Sequence, residues 1–136
     1  MRITVFGAAG NVGRRVVAEA SSRGHRVTAV TRRPPGTGGA TVVDTPDFPP
    51  DWRPIALACA RQLDVCRADT GADWTYLSPP ALLEPGRRTG GYRTGTDELL
   101  VDAAGDSAIS MEDFAVAPLD EAERPRHRRT RFTVGY

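Results

Sequence analysis

The sequence contains no lysine: all 18 basic residues of its 136 are arginine. Chemistry that needs a lysine amine, such as a Schiff base, is therefore excluded for these residues. Cysteine and histidine are scarce, with two of each, and no Cys-x-x-Cys pattern or paired-histidine spacing indicates a metal or redox centre. The sequence therefore predicts no metal site.

An excess of charge of one sign is also lacking, since 18 basic residues face 17 acidic ones. No global field recruits nucleic acid or a membrane surface. Residues 124–131 form a cationic cluster, but acidic residues adjoin it and no aromatic residue interleaves its arginines, so we expect no nucleic-acid partner. There is no run of about 18 apolar residues, and Arg2 leads straight into a predicted strand, so we expect no membrane association and a cytoplasmic location.

The clearest motif is a glycine-rich turn at residues 7–13. A β-branched and aromatic run at residues 3–6 precedes it, and an amphipathic segment with helical spacing follows it as far as Gly24, a predicted helix cap. Residues 26–31 have the composition of a second strand. The stretch therefore predicts a βαβ unit within about 30 residues.

Glycines at this turn suit the binding of a dinucleotide diphosphate. The phosphates must approach backbone N–H groups at a helix N-terminus, where unpaired donors and the positive end of the dipole lie. Gly7 would permit the tight turn, Gly10 the close passage of the phosphates, and Gly13 the packing of helix on strand. A strand-turn-helix that merely needs small residues is the alternative. The predicted cofactor-binding residues of the turn are Gly7, Ala9, Gly10, Asn11, Val12 and Gly13.

The end of the second predicted strand favours NADP(H) over NAD(H). A site selective for NAD places an acidic residue about 20 residues after the glycines, on the ribose 2′-hydroxyl. Here the chain runs Thr31-Arg32-Arg33, and the first acid after it is Asp44. Two guanidinium groups suit a 2′-phosphate by charge and by bidentate geometry. We therefore predict that Thr31, Arg32 and Arg33 bind the cofactor; a solvated pair of surface arginines is the alternative.

Several stretches along the chain, in a fixed order, resemble one family. They are residues 1–14, 27–34, 43–49, 73–80, 84–90 and 109–115. Together they resemble the atypical short-chain dehydrogenases of the NAD(P)H-binding, NmrA-like kind. The resemblance implies an α/β, Rossmann-like fold with a doubly wound, mainly parallel sheet, and an NAD(P)H-dependent activity.

We expect the middle of such a domain to be missing from this sequence. A doubly wound sheet of about six strands, at roughly 30 residues per βαβ repeat, should run well beyond 136 residues. This chain passes from its second strand, through the proline- and glycine-rich residues 34–39, almost directly to the family's late segment. The prediction is therefore one shortened domain over residues 1–136, with a βαβ cofactor unit at 1–33 and a C-terminal family segment at 41–136.

The second half predicts a helix, a strand and a substrate-proximal loop. The helix begins at Asp51 or Pro54 and ends near residue 68, and the strand at 74–77 is ended by Ser78, Pro79 and Pro80. Ligands of open α/β sheets lie beyond the carboxyl ends of strands, so these three residues and the loop onward to residue 90 are predicted to meet the substrate. Ser78 has no identifiable base as partner, and a purely structural role of this proline-stiffened loop is the alternative.

A small C-terminal β-hairpin and a helix are predicted next. Residues 99–101 and 108–110 flank a turn, which indicates the hairpin. Ser110 with Asp113 predicts an N-cap for a helix through residue 122, and Pro118 is expected to kink that helix or end it early. Residues 124–131 then lead into a last strand.

The absence of lysine also removes the Tyr-x-x-x-Lys pair of typical short-chain dehydrogenases. An active enzyme would therefore pass hydride from NADPH to an acceptor that needs little proton assistance, such as a quinone or a flavin. Two alternatives stay open: a non-catalytic NADP(H)-binding regulator, and an inactive shortened remnant. In the remnant, strand one lacks a neighbour on one side, which the strand at 74–77 or a second copy in a homodimer would supply.

Overall fold

The computed structural model of the chain describes residues 1–6, 8–30 and 48–136. Gly7, Thr31, Arg32 and Arg33 lie outside the described residues. The junction between the predicted segments 1–33 and 41–136 also lies outside them, so that division of the chain stays a prediction.

The predicted βαβ unit forms. Strand β1 (Arg2–Phe6) leads to helix α1 (Asn11–Ser22) and strand β2 (Arg26–Val30), and the two strands pair in parallel with Arg2 opposite Arg26. The crossover through a helix is what allows two consecutive strands to run in parallel.

Gly24 ends α1 as the sequence predicts. Its φ of +76° lies in the left-handed region, its N–H donates to the Ser21 carbonyl, and the His25 N–H donates to the Ala20 carbonyl, both at 3.0 Å. This is the hydrogen-bond pattern of a Schellman motif, which satisfies two carbonyls that the helix leaves unpaired.

The second half of the chain forms two further helices and five strands. A 3₁₀ turn (Pro50–Trp52) opens α2, and the elements in chain order are α2 (Arg53–Ala68), β3 (Thr75–Ser78), β4 (Leu82–Glu84), β5 (Arg93–Gly95), β6 (Ala108–Ser110), α3 (Met111–Glu123) and β7 (Thr130–Gly135). Strand β7 lies between parallel β3 and antiparallel β5, while β4 and β6 pair in parallel. Parallel strands with helices against them confirm the predicted α/β, Rossmann-like class.

The core lies between α3 and one face of the β3–β7–β5 sheet. Its buried members are Ile109, Phe114, Ala117, Phe132 and Val134. Leu77 of β3 and Val12 of α1 pack against this cluster, so the start of α1 is joined to the C-terminal half of the chain. Neighbouring residues of a strand face opposite sides, and Tyr76 accordingly donates its hydroxyl proton to the Cys59 carbonyl of α2, at 2.9 Å. Helix α2 therefore contacts the other face of the sheet at Tyr76.

None of the helices in the described part of the chain has both the length and the apolar composition needed to cross a membrane.

The predicted C-terminal hairpin is wrong, although its turn forms. Asp102 closes that turn by donating its N–H to the Asp106 carbonyl at 2.9 Å. Strand β6, however, pairs in parallel with β4 along one edge, and the Ala108 carbonyl accepts the Tyr136 N–H at 3.0 Å. Both edges of β6 are thereby occupied, which leaves no edge for residues 99–101.

Helix α3 does not end early at Pro118, one of the two outcomes expected there, but continues for five residues beyond that proline, to Glu123. An interior proline costs roughly 3 kcal/mol. Phe114, Val116 and Leu119 are buried on this helix, and burial of each stabilises the fold by roughly 1.5–3 kcal/mol. Packing against the core therefore outweighs the cost of the proline.

The first of the two arrangements suggested for a remnant, with the strand at 74–77 beside strand one, does not occur. Strand β3 pairs with β7, and among the described strands β1 pairs only with β2.

Candidate functional site

The N-terminus of α1 is open to an external ligand. Gly10 occupies the N-cap position, no side chain of the described residues caps the helix, and no acidic residue lies in its first turn. The first backbone hydrogen bond of the helix runs from Arg14 N–H to the Gly10 carbonyl, at 3.0 Å. The amides of residues 11–13 precede that bond and have no partner within the helix. Gly10 and Asn11 are exposed, so these donors face a solvent-accessible surface.

The backbone at Gly10 does not itself require glycine. Its φ of −74° and ψ of 167° are extended values that any L-residue adopts. The missing side chain therefore relieves no backbone strain. Room at a helix N-terminus is what a phosphate needs in order to reach the N–H groups.

The charges at the start of α1 also favour an anion. Arg14 donates to the Asn11 side-chain oxygen at 2.9 Å, and Arg15 donates to the Asn11 carbonyl at 2.8 Å. Cations near a helix N-terminus are disfavoured by the helix dipole, which is positive at that end. A diphosphate would reverse this unfavourable arrangement, since both arginines and the dipole attract it.

Helix α3 begins in the opposite way. The Ser110 hydroxyl accepts the Asp113 N–H at 3.0 Å, which confirms the predicted N-cap, and Glu112 and Asp113 supply negative charge in the first turn. Its N-terminus is thus satisfied within the protein.

Glu112 joins α1 to a loop of the predicted substrate region. One of its carboxylate oxygens accepts from Arg15 Nε at 2.5 Å, and the other accepts the Gly86 N–H at 2.7 Å. The Gly86 amide and the Arg15 guanidinium both hold the pKa of Glu112 below its usual value, so the link is charged at neutral pH. Residues 86–90, here called the clamped loop, therefore lie beside the first turns of α1.

Asp113 holds the far end of the clamped loop. Its side chain is fully buried, and it accepts from the Thr89 N–H at 2.8 Å, the Thr89 hydroxyl at 2.6 Å and the Gly90 N–H at 2.7 Å. The Tyr136 hydroxyl also donates to it, at 2.7 Å. Burial alone would raise the pKa of Asp113, but these donors outweigh burial and hold the pKa below its usual value.

Arg88 makes the third attachment of the clamped loop. Its guanidinium binds Glu19 of α1 through two bonds, of 2.8 and 2.6 Å, and Arg23 binds the same carboxylate at 3.0 Å. The pKa of Glu19 is lowered, chiefly by Arg88. A planar guanidinium held at two points fixes orientation as well as distance.

The predicted substrate-proximal residues lie just before this region. Ser78 is the half-buried last residue of β3, opposite Thr133, while Pro79 is exposed and Pro80 is buried. A cavity of about 410 Å³ opens a few residues later, between the clamped loop and the β4–β6 pair. We call it the β4–β6 pocket; it is lined by Leu82, Glu84, Pro85, Gly86, Arg87, Thr89, Ala108, Ile109, Ser110 and Tyr136. The three predicted residues do not line it.

Sequence reasoning missed the carboxylates that organise this site. Glu112 and Asp113 stand at a helix start, where the dipole alone accounts for them, and Glu19 falls on the polar side of an amphipathic helix. The one signal in the sequence was the arginine- and glycine-rich loop itself, because a loop of that composition needs acidic partners to hold its shape.

The histidines take structural roles. His127 stacks on Phe132 with ring centroids 4.2 Å apart, and its Nδ1 lies 2.8 Å from a Glu121 oxygen. His25 Nε2 lies 2.7 Å from a Glu123 oxygen. In the described part of the chain, no cluster of three or more His, Cys, Asp or Glu residues could hold a metal ion.

Comparison with curated proteins gives a partial match. No protein-family model matches the sequence. The chain is similar to the uncharacterized protein YwnB of Bacillus subtilis strain 168, with 45% identity over 94 residues. That match covers 68% of this chain and 44% of YwnB, and the chain spans less than half the length of the curated relatives it matches.

Solved structures are similar over the whole chain. A Burkholderia pseudomallei protein, provisionally described as exported, is 29% identical with a TM-score of 0.87, over 100% of both chains. SP1627 of Streptococcus pneumoniae TIGR4, provisionally described as an NADH-flavin reductase, is 23% identical with a TM-score of 0.85, over 99% of both chains. Other structures of this fold are described as epimerases or an oxidoreductase. The chain thus shares its α/β, Rossmann-like fold with these proteins.

Replacing Gly10 with valine tests the open helix terminus. The extended backbone accepts a β-branched residue, so Gly10→Val should fold, with a melting temperature lowered only by the cost of a less favourable N-cap residue. Its side chain would block the amides, and we expect the melting shift produced by NADPH or NADH to disappear.

Gly71→Val is the matched control, since Gly71 is also exposed and a Cβ added there would make only an ordinary 3.5 Å contact. The control should keep the full shift. An undiminished shift in Gly10→Val would place the nucleotide elsewhere.

Removing the Asp113 carboxylate tests the clamped loop. Asp113→Ala leaves several part-buried donors unpaired, and we expect a loss of about 2–3 kcal/mol in the free energy of unfolding at pH 7, measured in urea. The folded pKa of Asp113 is lowered, so its stabilisation is present above the unfolded pKa of about 3.9 and is lost as pH falls through the folded pKa. The difference from wild type should therefore shrink below about pH 4.

Asp106→Ala is the control, because Asp106 is exposed on a turn. It should match wild type at both pH values. Equal stability of Asp113→Ala and wild type at pH 7 would contradict the role given to this carboxylate.

Proposed function

We propose that this chain is an NADP(H)-binding oxidoreductase of the atypical short-chain dehydrogenase type that reduces a flavin- or quinone-like acceptor. The observation that carries the proposal is the uncapped N-terminus of α1, with Gly10 at the N-cap and no acid in the first turn. The fold shared with SP1627, provisionally described as an NADH-flavin reductase, supports it. So does the resemblance of the sequence to the NmrA-like family.

The residues divide the work as follows. The amides of Asn11, Val12 and Gly13 would bind the diphosphate, with Gly7 and Ala9 completing the turn. Thr31, Arg32 and Arg33 would bind the 2′-phosphate, which makes NADP(H) the preferred cofactor. The clamped loop would border the acceptor, and Ser78, Pro79 and Pro80 would lie close by without lining the β4–β6 pocket. When bound, the cofactor supplies the hydride.

The described tyrosines favour an acceptor that needs no proton from the protein. The chain has three tyrosines, and each hydroxyl donates to a fixed internal acceptor. Tyr76 donates to the Cys59 carbonyl, Tyr92 to Asp120 and Tyr136 to Asp113. Burial, followed by the bond to Asp120, raises the pKa of Tyr92. Flavins and quinones accept hydride with little proton assistance, whereas an alcohol product requires a positioned acid.

The same observation favours a second candidate, a non-catalytic NADP(H)-binding regulator, because a regulator needs no proton donor at all. The two candidates differ in turnover: a reductase oxidises NADPH when riboflavin or a quinone is added, and a regulator does not.

We also propose a cytoplasmic location and a homodimer in which a second copy covers the outer edge of β1.

Cofactor preference is tested at Arg32. If its guanidinium binds the 2′-phosphate, Arg32→Ala should weaken NADPH binding by about tenfold or more and leave NADH binding nearly unchanged, as measured by titration calorimetry. Arg61→Ala, at an exposed position of α2, serves as the control and should affect neither. Equal losses for both nucleotides in Arg32→Ala would remove the 2′-phosphate role.

A further inference from the structure

The β4–β6 pocket has the size and lining of a small-molecule site. Its volume of about 410 Å³ falls within the range of roughly 300–1,000 Å³ that is typical of ligand pockets. Leu82 provides exposed apolar surface, the buried Ile109 lies beneath it, and Tyr136 is part of the lining. Leu82 and Tyr136 are 47% and 43% exposed, so a planar ligand could cover apolar surface that water now contacts.

The aromatic wall of the pocket is fixed in place. The Tyr136 hydroxyl donates to Asp113 at 2.7 Å and lies 2.9 Å from the Ser110 hydroxyl, while the Ser110 N–H donates to it at 3.2 Å. These bonds hold the phenol at the start of α3. A ring anchored through its hydroxyl offers a stable stacking surface at little entropic cost.

Arg87 is the pocket's cation, and the chain on both sides of it is immobilised. Gly86 is bonded to Glu112, Arg88 is bonded to Glu19, and the Arg87 carbonyl accepts from the Ser110 hydroxyl at 3.0 Å. Within the described residues, the Arg87 guanidinium itself forms no ion pair, even though Glu84 lines the same pocket. The clamped loop thus presents an arginine whose charge is not used inside the protein.

We infer that the β4–β6 pocket binds a planar aromatic ligand that carries an anionic group, and that Arg87 recognises the anion. The inference deepens the proposed function and rests on it for the identity of the ring: the acceptor is a phosphorylated flavin, riboflavin 5′-phosphate, in preference to riboflavin. Arg87 binds the phosphate, and Tyr136 and Leu82 contact the ring system. Arginine suits phosphate because its donors are arranged as a rigid fork.

The test compares the two flavins in the absence of nicotinamide nucleotide, with binding followed by the quenching of flavin fluorescence. The wild-type protein should bind riboflavin 5′-phosphate about tenfold more tightly than riboflavin. Arg87→Ala should bind both flavins equally, and Arg87→Lys should restore part of the preference, since it returns the charge without the fork. Arg87 is exposed, so an unchanged melting temperature should accompany each variant.

Two controls separate this inference from the proposed function. Arg61→Ala should keep the full preference for the phosphorylated flavin, and so should Gly10→Val, whose defect is confined to the nicotinamide nucleotide. Equal binding of the two flavins by the wild-type protein would overturn the inference, even if NADPH still raises the melting temperature. A preference that survives in Arg87→Ala but is lost in Gly10→Val would place the phosphate at α1 and overturn it as well.

Discussion

The carboxylate of Glu112 is the contact on which the candidate site depends. It accepts from Arg15 of α1 through one oxygen and from the Gly86 amide through the other. The βαβ unit and the clamped loop come from distant parts of the chain, and this acid holds them side by side at the N-terminal ends of α1 and α3. Because both donors lower its pKa, the bridge keeps its charge at neutral pH.

The other carboxylates extend the same arrangement along α1 and α3. Near the far ends of these helices, Arg23 binds Glu19, Asp120 and Glu123 at 2.9–3.0 Å. Removal of one partner from a partly buried ion pair leaves a charge without compensation, so such contacts are costly to break even where their net contribution is small. The lack of lysine fits this design, since the guanidinium group can bind several acids at once in a fixed plane.

Local structure could be predicted well from the sequence. The βαβ unit, the Gly24 cap, the helix ending at Ala68 and the Ser110 cap all follow from short-range patterns, and the structure confirms them. The helices, caps and individual strands among these features depend on residues within a few positions of one another, which is the range over which capping and periodicity act, while the pairing of β1 with β2 follows from the helical crossover that joins them.

Pairing between distant segments could not be predicted in the same way. Strands β4, β5 and β6 have three residues each, too few for a periodic pattern, and their partners are chosen by tertiary packing. The clamped loop likewise could not be predicted from the local sequence, because the acidic residues that hold it lie on α1 and α3. Helix α3 continues through Pro118 because its side chains are buried in the core. Helix propensities read from the sequence do not include that burial.

The diphosphate-binding role proposed for the amides at the start of α1 can be tested directly. Titration of the ¹⁵N-labelled protein with NADPH measures this binding through the amide shifts of Asn11, Val12 and Gly13. These three amides should show the largest saturable changes among the described residues. Unchanged amides at these positions, with NADPH bound and shifts concentrated elsewhere, would contradict it.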